Sequence, residues 1–238
     1  MPEDEPTSNL ADAAYADARR FAKEGAFAEA LERHEWFHEH ALTYQPSYYG
    51  VRLSFALSAW QELGTKYPPA LEALRRIRDR DTELVRRPGS SDHLFHDVVS
   101  INRVLGENAA TMNLFREIEH AWPELARSRF RWMTREAFEA DGNLFVRYTP
   151  DLLAHGRKLL DEHHDLMARS AANMAEKIRS DPRCDGIQER LRQQFTGELR
   201  ASIQRLAALA SSSGQIEVSK CILGLIEDSE STEHELTA

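Results

Sequence analysis

Cysteine is nearly missing from this chain. Only Cys184 and Cys221 stand among 238 residues, which makes no disulfide framework, and no C-x-x-C spacing offers a thiolate metal site. Glycine and proline are sparse, at 11 and 9. No stretch alternates apolar and polar residues at the period of a half-buried strand, which excludes an ordinary sandwich or barrel. No apolar run approaches the roughly 18 residues of a membrane span. Residues 1–9 show no basic segment leading into an apolar one, so no secretory leader is read there. A reduced, cytoplasmic protein that does not contact membrane is expected. There is also no glycine-rich phosphate loop, no Gly-x-Ser-x-Gly elbow and no Cys/His arrangement. No cofactor is expected.

Excess positive charge is lacking too. The formal net charge is −9. Glu3, Asp4 and Glu5 at one end, with Glu227, Asp228, Glu230, Glu233 and Glu235 at the other, account for almost all of it. The nearly neutral body has no broad positive field for nucleic acid, so no nucleic-acid partner is expected. Two basic runs, Arg75–Arg80 and Arg127–Arg135, are interleaved with acids and apolar positions and read as solvated helix faces. Residues 1–9 and 228–238 are expected to be disordered acidic tails.

What remains is helical periodicity almost throughout. Helices are predicted over 9–24, 27–44, 47–64, 67–85, 91–106, 108–120, 122–140, 150–180, 184–211 and 214–227. Gly25, Gly64 and Gly106 are read as helix ends in left-handed backbone. Pro46, Pro68, Pro123 and Pro150 are read as helix starts, where a missing N–H costs nothing. The fold class expected is all-α, with hairpins over 10–123 and long amphipathic helices over 124–227.

The hairpins look related to one another. Gly25-Ala-Phe27-Ala-Glu-Ala30, Gly64-Thr-Lys-Tyr67-Pro-Pro-Ala70 and Gly106-Glu-Asn-Ala109 each separate two amphipathic helices of similar length, at quasi-regular spacing. Leu53, Ala56, Leu57, Trp60, Gly64, Tyr67, Ala70, Leu74 and Ile77 fall on one pattern of large and small packing residues. Gly25, Phe27 and Ala30 match around the first turn, and Phe95, Val98, Val99, Gly106, Phe115, Ile118 and Pro123 make a fainter third unit. Over residues 12–123 the chain resembles the tetratricopeptide-repeat family. The resemblance implies antiparallel helix pairs stacked into an α-α superhelix whose concave side binds extended peptides or helices. The long C-terminal helices would then continue or cap it as a bundle, or pair two copies of the chain, giving a monomer or a homodimer.

One string points to other chemistry. His34-Glu35-Trp36-Phe37-His38 is an H-E-x-x-H pattern. On a helix its two imidazoles share a face, and Glu35 lies roughly 100° away, where it would activate a bound water. A zinc-dependent hydrolase is therefore the alternative reading. Against it, both histidines lie within the apolar stripe of Phe27, Ala30, Leu31, Phe37, Ala41 and Leu42. Arg33 and Glu39 place charge in the flanks, and no third ligand is apparent beyond Glu62. His93 and His96, in Asp92-His93-Leu94-Phe95-His96-Asp97, read as a polar helix start, because a bundle metal site needs a matching set on another helix. The favoured expectation is a non-enzymatic scaffold or adaptor for a protein or peptide segment. In the arrangement the family implies, Tyr15, Arg19, Lys23, Ser54, Ser58, Gln61, His96, Ser100 and Arg103 would face the groove and suit an acidic or polar segment. Phe55 and Asp97 depart from the carboxylate clamp of the family's chaperone-tail binders.

Overall fold

The computed structural model describes residues 10–180 and 185–237, and every regular element among them is helical. In order these are α1 (Leu10–Glu24), α2 (Phe27–Tyr44), a 3-10 turn (Pro46–Tyr48), α3 (Tyr49–Leu53), α4 (Phe55–Lys66), α5 (Pro69–Val85), α6 (Asp92–Leu105) and α7 (Asn108–Ala121). Then follow α8 (Pro123–Arg129), a second 3-10 turn (Phe130–Trp132), α9 (Thr134–Ala140), α10 (Gly142–Tyr148), α11 (Leu152–Ser180), α12 (Asp185–Ser212) and α13 (Ile216–Thr237). The all-α class holds. Two compact units divide the chain, Met1–Ala137 and Phe138–Ala238.

In the first unit the punctuation has visible causes. Gly25 and Gly106 take φ of 82° and 72°, left-handed backbone that a Cβ would strain. Ser91 caps α6 by accepting from the Leu94 N–H at 3.1 Å. Gly64 plays another part than the expected helix end: α4 runs on to Lys66, and Gly64 is buried where a Cβ would overlap the Leu71 side chain. Its role is the close approach of α4 to α5. The single helix expected over 47–64 is broken at Ser54 (φ −124°, ψ −89°), whose hydroxyl donates back to the Gly50 carbonyl at 2.7 Å.

The core of this unit forms around Trp60, which is 1% exposed and packed with Leu57, Leu63, Ala70, Leu74, Ile77 and Ile101. Its indole N–H donates to the Ala70 carbonyl at 2.9 Å, so the polar end of a buried ring is satisfied. A second cluster joins Ala11, Ala14, Phe37, Ala41 and Ala56, with Tyr15 and Trp36 packed against it. The first unit runs past Pro123, to Ala137, because residues after it are tied to earlier helices. Buried Arg129 donates to the Ser90 carbonyl at 2.8 Å, Phe130 meets Phe115 edge-on, and Arg103 holds buried Glu136 at 2.8 Å.

In the second unit α11, α12 and α13 pack on one another, and α10 packs on α12. Leu199, Ile203, Leu206, Ala207, Ala210, Ile222 and Leu225 are buried there. Gly142 and Gly156 permit close approach, since a Cβ would meet Leu209 at the first and Leu225 and Leu206 at the second. Arg205 donates to the Phe138 and Glu139 carbonyls at 2.9 and 2.8 Å, satisfying the open end of α9. Helix α10 was not expected from the sequence. Helix α13 continues to Thr237, so residues 228–237, expected as an irregular tail, are helical. The expected tail over 1–9 lies outside the described residues.

Candidate functional site

Polar side chains converge in the first unit where α2, α3, α5 and α6 meet. The i, i+4 spacing on α2 sends both His34 and His38 inward, 2% and 6% exposed. His34 stacks on Trp60 with ring centroids 5.6 Å apart, and His38 meets the same indole edge-on at 6.1 Å. Burial pushes the His34 imidazole down to about 4. Burial, then the Arg52 and Arg80 charges, push His38 down to about 3. Both rings are therefore neutral at pH 7.

Arg52 of α3 is the centre of the cluster. Its side chain is 6% exposed, and its Nη2 donates to both carboxylate oxygens of Asp97 on α6, at 2.6 and 2.7 Å. Its Nη1 lies 3.2 Å from His38 Nε2 and 3.4 Å from the His38 carbonyl. A guanidinium only donates, so Nε2 accepts and the His38 hydrogen sits on Nδ1, which has no partner. Asp97 is held above the usual carboxylate range by burial, with Arg52 pulling the other way. Asp81 of α5 completes the group. It is buried, accepts from Arg80 Nε at 2.9 Å, and offers an oxygen within 4.8 Å of ligand atoms on His38 and Asp97.

Towards the surface, Tyr49 spans the two histidines of α6. Its hydroxyl lies 2.9 Å from His93 Nδ1 and 2.8 Å from His96 Nδ1. A phenol donates one hydrogen, so at least one of the two imidazoles donates to it from Nδ1. His96 stacks on Trp132 at 3.9 Å, with Arg131 over the same indole. Burial, then Asp97, raise the Tyr49 phenol to about 12, while burial and nearby cations push His96 down to about 4.

The two histidine strings are thus brought together, though not as an H-E-x-x-H zinc site. Glu35 pairs with Arg76 at 3.2 Å. The carboxylates near His38 are Asp81 and Asp97, not the Glu62 considered from sequence, and His34 is outside that donor set. One imidazole nitrogen with two carboxylate oxygens is a donor set suited to a divalent ion. Here Arg52 bridges His38 and Asp97, and Arg80 serves both Asp81 and Glu39, so each of these carboxylates already has a guanidinium partner. As built, this is a buried ion-pair network. Sequence reasoning missed Arg52 and Asp81. Leu74, Ile77, Asp81 and Val85 share one helix stripe, and a charge in that register was the available signal.

The residues expected at a groove are placed unevenly. Tyr15 packs on Phe37 at 5.2 Å, Ser54 bonds its own helix turn, and Ser58 is exposed. Gln61 donates to the Val104 carbonyl at 2.6 Å, and His96 belongs to the Tyr49 cluster. One expectation needs correction: Ser100 is 4% exposed because it falls on the buried stripe of α6. Arg103 is part-exposed and pairs with Glu136 at 2.8 Å. Arg19 and Lys23 do come together, with His34, Glu62 and Lys66, around a cavity of about 140 Å³ between α1, α2 and α4. Among the described residues neither Arg19 nor Lys23 forms an ion pair, whereas the larger concavity beside α5 and α7 is walled by pairs such as Arg78–Glu107 and Arg86–Glu117.

No protein-family model, no curated protein and no solved structure matches the chain. No helix among the described residues is long and apolar enough to cross a membrane.

Proposed function

We propose that the first unit is a non-enzymatic scaffold of the tetratricopeptide-like kind, which binds an acidic segment of a protein partner along the face shared by α1 and α4. The observation that carries this reading is the uncompensated positive charge of Arg19 and Lys23 at a concave place. Most other arginines of this unit are consumed in ion pairs, as Arg52, Arg75, Arg78, Arg80 and Arg86 are. A second feature supports it. Phe55 is 70% exposed, and at 100° per residue it falls within roughly 20° of Glu62 and Lys66 around α4, about one to three turns from the cavity. An exposed aromatic on the α4 stripe that leads to the cavity is a surface that an apolar residue of an acidic segment would fit.

The test uses fluorescently labelled peptides of one length, bearing glutamate with phenylalanine, glutamine with phenylalanine, or lysine with phenylalanine. Anisotropy should rise with the first set alone and fall with added salt. Arg19→Glu combined with Lys23→Glu should abolish that rise while leaving Tm nearly unchanged, since exposed charges contribute little to stability. Equal binding of all three sets, or no effect of the double substitution, would place the site elsewhere or refute the scaffold reading.

A further inference from the structure

The cavity holding Arg19 and Lys23 has a floor that surface electrostatics does not explain. His34 lines it, is 2% exposed, and has an Nε2 with no hydrogen-bond partner. A buried polar atom left unpaired is costly, and native interiors rarely keep one without a use. The ring is fixed from behind by its stack on Trp60, so it cannot turn away to water. Above it stand three cations, Arg19, Lys23 and Lys66, against one carboxylate, Glu62, which is 4.0 Å from Lys66. Net positive charge over a neutral imidazole is an arrangement for a small anion. About 140 Å³ is well below the roughly 300 Å³ at which pockets for whole small-molecule ligands begin, so the space suits the end of a side chain.

We infer that this cavity is a carboxylate pocket, which takes the side-chain carboxylate of a glutamate or aspartate presented by the partner segment. Its identity as a peptide pocket rests on the scaffold reading above. Arg19 offers a planar fork matched to a carboxylate, Lys23 and Lys66 add charge at the rim, and His34 donates from Nε2 in the tautomer that carries its hydrogen there. His34, read from the sequence as a zinc ligand or a packing residue, acquires a third role as the neutral donor at the base of the pocket.

The experiment uses the full chain with isotope-labelled histidine and follows the imidazole resonances by NMR. The probe is glutamate capped as its N-acetyl, N-methylamide derivative. Its glutamine counterpart and inorganic phosphate are the comparisons. The capped glutamate should move the His34 resonances saturably, with a Kd on the order of millimolar, and leave His38 unmoved. Glutamine should do nothing, and phosphate should act only at higher concentration. Arg19→Ala with Lys23→Ala, both exposed positions, should weaken the effect on the order of tenfold or more. His34 resonances unmoved while acidic peptides still bind would overturn the pocket and leave the scaffold standing. Phosphate acting at lower concentration than the capped glutamate would overturn the ligand class. Absence of any acidic-peptide binding would overturn both.

Discussion

Replacing Arg52 by leucine tests the buried network directly. The substitution keeps an apolar stem of similar reach and removes the guanidinium that Asp97 accepts from twice. Asp97 is then left 13% exposed without its cation, while Asp81, 5% exposed, is still held by Arg80. Breaking a buried pair from one side costs about 3–5 kcal/mol, against a typical total stability of about 5–15 kcal/mol. Arg52→Leu should therefore melt at much lower denaturant concentration with m unchanged. Asp97→Leu alone strands the guanidinium and should cost a similar amount. The double substitution Arg52→Leu with Asp97→Leu removes both charges, so it should lie well above the sum of the singles, with a coupling of about 2 kcal/mol or more. Urea melts of the four proteins at pH 7 measure this cycle. A single-variant loss under about 1 kcal/mol, or strict additivity, would falsify the network.

Acid should destabilise the unmodified protein through its histidines. His34 and His38 have folded values of about 4 and 3, below the ordinary 6.5, so the unfolded chain takes up protons first as pH falls. Their contribution is complete above 6.5 and is lost from 6.5 down to about 4 for His34 and about 3 for His38, by roughly 1.4 kcal/mol per group per pH unit. Asp97, raised, works in the opposite sense but is one group against three, since His96 is also held down to about 4. Melts at pH 7 and pH 5 should differ by several kcal/mol, and a flat profile would refute the buried, neutral assignment. Metal analysis gives a separate check. With Arg52 bridging His38 and Asp97, the purified protein should carry far less than one zinc per chain, and chelator should leave Tm unchanged. Stoichiometric zinc that departs on His38→Leu would restore the hydrolase reading.

Local chemistry was legible in the sequence where a single helix decides it. The turns at Gly25 and Gly106 and the inward face of His34 and His38 follow from spacing within about one or two turns of helix. What failed depends on the neighbour. Gly64 resembles a helix terminator until Leu71 is seen against its α-carbon. Nothing in the α6 sequence marks Glu136, 33 residues on, as the partner of Arg103. The partnership of His38 with Asp81 and Asp97 required three helices to meet, and no spacing within one helix encodes that.

The placement of His34 also limits how tightly this protein can hold a partner. The residue belongs at once to the Trp60 core and to the cavity, so it is rigid, and a rigid neutral donor gives orientation with little Coulomb attraction. Attraction must come from Arg19, Lys23 and Lys66, and both lysine side chains are exposed at the rim, with Glu62 opposing them. Exposed charges of this kind are largely screened beyond a Debye length, about 8 Å at physiological salt. An acidic segment would therefore arrive quickly, be positioned by Arg19 and His34, and leave quickly, with Phe55 supplying the apolar contact that separates a specific partner from any polyanion. Phe55→Ala should accordingly reduce discrimination between acidic peptides with and without an aromatic residue, while the salt dependence set by Arg19 and Lys23 persists. If Phe55→Ala instead leaves that discrimination intact, the aromatic lies outside the docking face and the segment binds through charge alone.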